Sequence, residues 1–404
     1  MPRGDAFGYA ITDDKDEGEP MNRLPGLDLL RAIAIAWVMI FHSYIIGGWG
    51  HYGGVEKIGW MGVDLFFVLS GFLIGSQVLK PLAQGQGFSF IDFYLRRAFR
   101  ILPVYLLVVA VYFIWPSMRE YPGIQPLWQF LTFTVNLLID VEHNLAFSHV
   151  WSLCVEEHFY LLFPLLAWWL ARRPSVRKFA TVCIAVVALG MFLRGYIWLH
   201  FMAPVKGVDQ NSYGNAFLEG IYYPTWSRLD GLLTGVVLAV LRIYRPALWA
   251  QWGQRANGVL MAGLVVLGLS IWLFQDRTGF AATLLGYPLL SAGMGLLVMA
   301  GACEKGVLAR ARVPGAGWLA MASYSLYLSH KLVFHGVEAA AGHWLDGHGV
   351  ATFAGYALAV LATGALLHYA VERPFLRLRG YVAGLRSRRS FAGTVPAQAG
   401  ADAA

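Results

Sequence analysis

The sequence predicts an all-α fold: a polytopic transmembrane helical bundle of about ten spans plus one short re-entrant or interfacial helix. Three observations carry this. Of 404 residues, 57% are hydrophobic and 14% charged, whereas soluble domains carry about 25% charged residues. Apolar runs near the length that crosses a bilayer recur along the chain. Lys and Arg gather in alternate connections between those runs, as membrane orientation requires.

Residues 1–25 read as a polar, Asp- and Glu-rich tail, expected to be disordered and cytoplasmic. Its first 22 residues contain no apolar core of a signal peptide, so none is expected to be cleaved. Residues 26–377 form the transmembrane body. Residues 378–404, small and polar toward their end, are expected to be a cytoplasmic, largely disordered tail. No stretch between the apolar runs is long enough to hold a core of its own.

The segments, in order, cover residues 27–46, 60–79, 101–117, 127–139, 151–171, 179–200, 226–242, 257–275, 281–301, 318–337 and 350–371. The first, GLDLLRAIAIAWVMIFHSYII, carries Asp28 and Arg31 near one end and His42 near the other. On one helix Arg31 and His42 would lie about 16 Å apart along the axis and about 20° apart in azimuth. They share a face that either lines a pathway or lets Arg31 snorkel to headgroups. In the second, GFLIG at 71–75 fits ordinary close helix packing.

The fourth segment, PLWQFLTFTVNLLI, is too short to span. If it does not cross and the N-terminus is cytoplasmic, 23 of the 31 Lys and Arg face the cytoplasm and 4 the outside. The remaining four, Arg31, Arg194, Arg228 and Lys331, lie within spans. Letting it cross would put every later basic loop on the wrong side, so ten spans with both ends inside is the expected topology. The net charge of +7 then reflects orientation and implies no nucleic-acid partner. Cys154, Cys183 and Cys303 all sit in apolar runs without metal-ligand spacing, predicting packing residues, no disulfide framework and no metal.

With that orientation, His42, Asp64, Glu156, Arg228, Asp230 and His330 fall at one level, about 5–10 Å below the outer surface at ~1.5 Å per residue. A lone membrane His or Glu is commonly a packing hydrogen bond, but six at one depth predict a polar cavity. Such a cavity suits either general acid–base catalysis or a proton relay in a transporter. At the inner surface, FIDFYLRRAFRILP (90–103) places Arg97 and Arg100 on one helical face. Their guanidinium forks suit either phosphate groups of a ligand or lipid headgroups.

Taken together, the chain resembles the acyltransferase 3 family of integral membrane acyltransferases, from about Arg23 to Arg377. Arg31 and His42 match an R/K-x10-H motif, and GVDLFFVLSGFLIG (62–75), which holds Asp64 and Ser70, matches the second-helix signature. Arg97-Ala98-Phe99-Arg100 matches RxxR, and Ser152-Leu153…Glu156…Phe159-Tyr160 matches SLxxExxFY. RLDGLLTG, YSLYLSH and ERPF follow in the family's order. Where the family reads LDGLR, this chain reads Leu27-Asp28-Leu29-Leu30-Arg31 and loses a glycine.

The resemblance implies a plasma-membrane enzyme that moves an acyl group, most often acetyl, from cytoplasmic acyl-CoA to a hydroxyl of a glycan, glycolipid or natural product. His42 would be the base, and Glu156 would steady the resulting imidazolium. Arg97, Arg100 and Arg31 would hold the donor. Asp28, Asp64, Ser70, Tyr160, Arg228, Asp230 and His330 would bind or support substrate. The competing reading is a proton-coupled transporter using the same polar layer; the chain shows no internal repeat of the kind many transporters are built from.

Overall fold

The computed structural model describes residues 24–46, 53–345 and 347–392, with side chains to residue 382. The expected N-terminal tail and residues 47–52 lie outside these residues. The fold is a helical bundle. Its first part comprises α1 (Pro25–Ile46), α2 (Met61–Ala83), α3 (Phe90–Ile114), the five-residue α4 (Leu127–Leu131), α5 (Trp151–Ala171) and α6 (Val176–Ile197). A short α7 (Gln210–Ala216) precedes α8 (Asp230–Tyr244), α9 (Pro246–Gln254), α10 (Ala256–Leu273) and α11 (Tyr287–Ala302). The short α12 (Val307–Arg310) leads to α13 (Ala316–Leu345), α14 (Val350–Leu367) and α15 (Arg373–Ala392).

Among the described residues, eight helical segments are long and apolar enough to cross a membrane, and α8 with α9, bent by 106°, makes a ninth. The 30-residue α13 is long enough at ~1.5 Å per residue, but buried Ser323, Ser325, Ser329, His330 and Lys331 dilute its apolar character. All ten expected crossing segments are helical. The doubtful segment at 127–139 holds only α4 and a single turn at Val135–Leu137, too little to cross. The domain boundary expected at Arg377 falls inside α15, which continues to Ala392.

Local chemistry sets the helix ends. Ser89 accepts from the Asp92 N–H at the start of α3, and Ser175 accepts from the Lys178 N–H at the start of α6. The core is built on α2, which packs against α8 with no room for side chains between them. A Cβ at Gly71 would sit 2.0 Å from the Leu232 carbonyl oxygen, and one at Gly235 would sit 2.2 Å from that of Val68. Where LDGLR has its glycine this chain carries the half-buried Leu29; the close backbone approach on α1 occurs instead at Gly26, against Gly301 of α11.

Candidate active site

Three histidines converge: His42 from α1, His330 from α13, and His149 from the turn Ser148–Val150 that precedes α5. All are buried. His330 Nε2 lies 3.0 Å from His42 Nδ1, and the His149 ring centroid is 4.8 Å from that of His330. Carbonyl oxygens fix the protons. His330 Nδ1 is 2.7 Å from the Tyr327 carbonyl, which can only accept, so Nδ1 carries the hydrogen and Nε2 of the neutral ring is an acceptor. His42 Nδ1 faces that acceptor and the Val38 carbonyl at 3.0 Å, so it too carries a hydrogen. The neutral His42 ring is left with a lone pair on Nε2, the state a general base requires.

The turn that delivers His149 is held against its own backbone preference. Phe147 has φ 57°, a left-handed conformation uncommon for a bulky residue. Its N–H donates to Glu120 Oε1 at 3.1 Å, and its ring stacks on Tyr112 at 4.3 Å. Lys331, next to His330, donates to Ser148 Oγ at 3.2 Å and lies 3.9 Å from Glu120. Tyr327 Oη donates to the His149 carbonyl and accepts from Ser152 Oγ at 2.6 Å.

One turn along α5 from Ser152, Glu156 opens a second cluster. Ser70 Oγ donates to Glu156 Oε1 at 2.5 Å, and Tyr160 Oη donates to Ser70 Oγ at 3.2 Å. Arg97 donates to Gln77 at 3.3 Å with its guanidinium 5.7 Å from the Tyr160 ring. Arg31 pairs with Asp28 at 3.8 Å and lies within electrostatic reach of both Arg97 and Arg100. Arg100 pairs with Glu372 at 3.0 Å. Of the two adjacent glutamates, Glu156 turns to Ser70, while Glu157 lines a cavity of about 220 Å³ with Tyr94, Arg97, Ile101 and Phe133.

The residues expected in one polar layer fall into separate groups. Asp64 Oδ1 pairs with Arg228 at 2.7 Å, and Asp230 pairs with Arg194, also at 2.7 Å. The Arg228 guanidinium is enclosed by the rings of Tyr287, Tyr222 and Trp151 at 4.3, 4.7 and 5.2 Å. These three expected site residues form buried ion pairs, one tying α2 to the turn before α8 and the other tying α6 to the start of α8. Glu156 bonds Ser70, and the partner of the His42 ring is His330. Sequence reasoning gave no role to His149, Lys331 or Glu372. His149 lies two residues before the Trp151-Ser152-Leu153 stretch, Lys331 is one of the four cations inside spans, and Glu372 opens ERPF. Among the described residues, no group of three or more His, Cys, Asp or Glu is placed to hold a metal ion.

The family described as acyltransferase domain matches residues 24–369, most of the chain. The chain belongs to the acyltransferase 3 family. The matched range of this acyltransferase 3 chain takes in the His42–His330 pair and all three arginines of the second cluster. O-acetyltransferase OatA of Staphylococcus aureus (strain NCTC 8325 / PS 47) is 28% identical over 236 residues, covering 54% of this chain and 34% of that protein. A putative O-acetyltransferase of Staphylococcus aureus (strain COL) is 28% identical over 240 residues, covering 55% and 35%. The aligned part of the chain thus accounts for about a third of the length of these relatives. No solved structure matches the chain.

Proposed function

We propose that this acyltransferase 3 chain is a plasma-membrane O-acyltransferase that moves an acetyl group from acetyl-CoA to a hydroxyl of a glycan, glycolipid or natural product. The observation that carries the reading is the bond from His42 Nδ1 to His330, which leaves His42 Nε2 as a buried base. Relatives named O-acetyltransferases support acetyl as the group moved. The bias of basic residues toward one side supports cytoplasmic termini and a cytoplasmic donor.

In this reading Arg97, Arg100 and Arg31 bind donor phosphates, and the pantetheine arm runs along α5 past Glu156 and Ser152 toward the histidines. His42 Nε2 takes the proton of the acceptor hydroxyl as its oxygen attacks the thioester carbonyl. The C–S bond breaks, and the proton passes to the departing thiolate, giving the ester and free CoA. His330 holds the His42 ring and shares the charge of the imidazolium, the part that the family resemblance implies for Glu156. Glu156 keeps a positioning role between Ser70, Tyr160 and the arginines.

The test is CoA release by purified protein in detergent or nanodiscs, supplied with acetyl-CoA and a panel of hydroxyl acceptors. Acceptor-dependent release with a stoichiometric acetyl ester is expected. Proton flux in proteoliposomes, with no acetyl transfer to any acceptor, would favour the transporter instead.

A further inference from the structure

Glu372 lies just beyond the matched family range, in the segment His368–Glu372 where the helix widens by one residue into a π-turn. Its carboxylate is fully buried at 0% exposure, yet it is not left uncompensated. Arg100 Nη1 lies 3.0 Å from Oε1, Ser325 Oγ donates to Oε2 at 2.9 Å, and His368 Nδ1 is 3.0 Å from the same oxygen. Three groups, one each from α3, α13 and the π-turn, therefore meet at one carboxylate. π-turns of this kind recur at functional sites.

The two sides of the Arg100–Glu372 pair differ in access. The carboxylate is sealed, whereas the Arg100 side chain is 35% exposed. Nη1 of the guanidinium sits against the buried carboxylate, while about a third of the Arg100 side chain remains accessible. Ser325 and His368 both grip Oε2, so the carboxylate cannot swing away from its partner. A free arginine gives up much rotamer freedom on binding a phosphate; one already clamped gives up less.

We propose that Glu372, fixed by Ser325 and His368, is a positioning residue that presets the Arg100 guanidinium for the phosphates of the acyl donor. This rests on the reading of Arg100 as a donor ligand. The competing role is a brace that ties the C-terminal helix to α3. A brace would not distinguish a donor with phosphates from one without.

The test compares acetyl-CoA with acetyl-pantetheine, which carries the same thioester arm and no phosphate. Glu372→Gln keeps the size of the side chain and removes its charge. It should raise the KM for acetyl-CoA about tenfold, the loss expected when a charge-assisted contact is weakened. The kcat and the KM for acetyl-pantetheine should stay within twofold. Equal changes for both donors, or no change for either, would overturn the proposal. Arg100→Ala separates the two layers of inference: it should abolish the preference for acetyl-CoA. Retention of that preference in Arg100→Ala removes the donor-ligand reading itself, and this proposal with it. Loss in Arg100→Ala but not in Glu372→Gln removes the positioning role alone. If Glu372→Gln does not fold, Ser325→Ala, which deletes one bond to Oε2, should raise the acetyl-CoA KM about threefold; an unchanged KM there also contradicts the proposal.

Discussion

His330 Nε2 accepts a hydrogen bond from His42 Nδ1 across 3.0 Å, joining residues 288 positions apart on α13 and α1. The pair resembles a base and its orienting partner, with imidazole where a carboxylate often stands. The Tyr327 carbonyl takes the orienting role one step further out, because it dictates which nitrogen of His330 bears the hydrogen.

Replacing His330 tests that relation. His330→Ala should lower kcat roughly 10²–10³-fold with little change in either KM, since the base stays present but loses its tautomer and orientation. His330→Gln, which retains an acceptor oxygen, should recover part of the loss. Steady-state kinetics of the two variants decide it, and equal activity of Ala and Gln variants would count against an orienting hydrogen bond.

Arg97 sits beside Tyr160 and Gln77, on the donor side of the proposed path. Arg97→Ala should raise the donor KM several-fold more than the acceptor KM. Parallel increases would indicate a residue that anchors lipid.

The Asp64–Arg228 pair is predicted to matter for folding. Asp64→Asn leaves a buried guanidinium without its counter-charge and should destabilise the protein by about 3–5 kcal/mol. Replacing both partners with apolar residues should restore much of it. Thermal unfolding in detergent for both single variants and the double variant reads the coupling directly.

The α2–α8 contact allows a sharper steric test. Gly71→Ala forces a methyl against the Leu232 backbone and should cost at least about 1–3 kcal/mol. Gly258→Ala on α10, where a Cβ meets nothing within 4 Å, should be neutral in the same unfolding assay.

The bundle was legible in the sequence because hydropathy and basic-residue bias are carried by many residues at once. The short segment at 127–139 was recognisable for the same reason. Pairing was not. Depth read along separate helices says nothing about azimuth: Arg228, at the end of the turn before α8, pairs with Asp64 of α2, while Asp230, the first residue of α8, pairs with Arg194 of α6. Glu156 was displaced from His42 in the same way: four residues of α5 separate it from Ser152, the residue that reaches Tyr327 beneath His149. His149 lay in a connecting turn whose inward course depends on a left-handed Phe147, a conformation no periodicity reveals. Glu372 is the last residue of a π-turn, which shifts the helical phase by one residue and conceals the face it presents.

The central claim is that His42 Nε2 takes the proton of the acceptor. Turnover of purified His42→Gln, compared with wild type at saturating acetyl-CoA and acceptor, tests it most directly. The account predicts at least a thousandfold loss of kcat, on the order expected for a deleted general base, with unchanged acetyl-CoA binding and an unchanged gel-filtration profile. Turnover equal to wild type would contradict it.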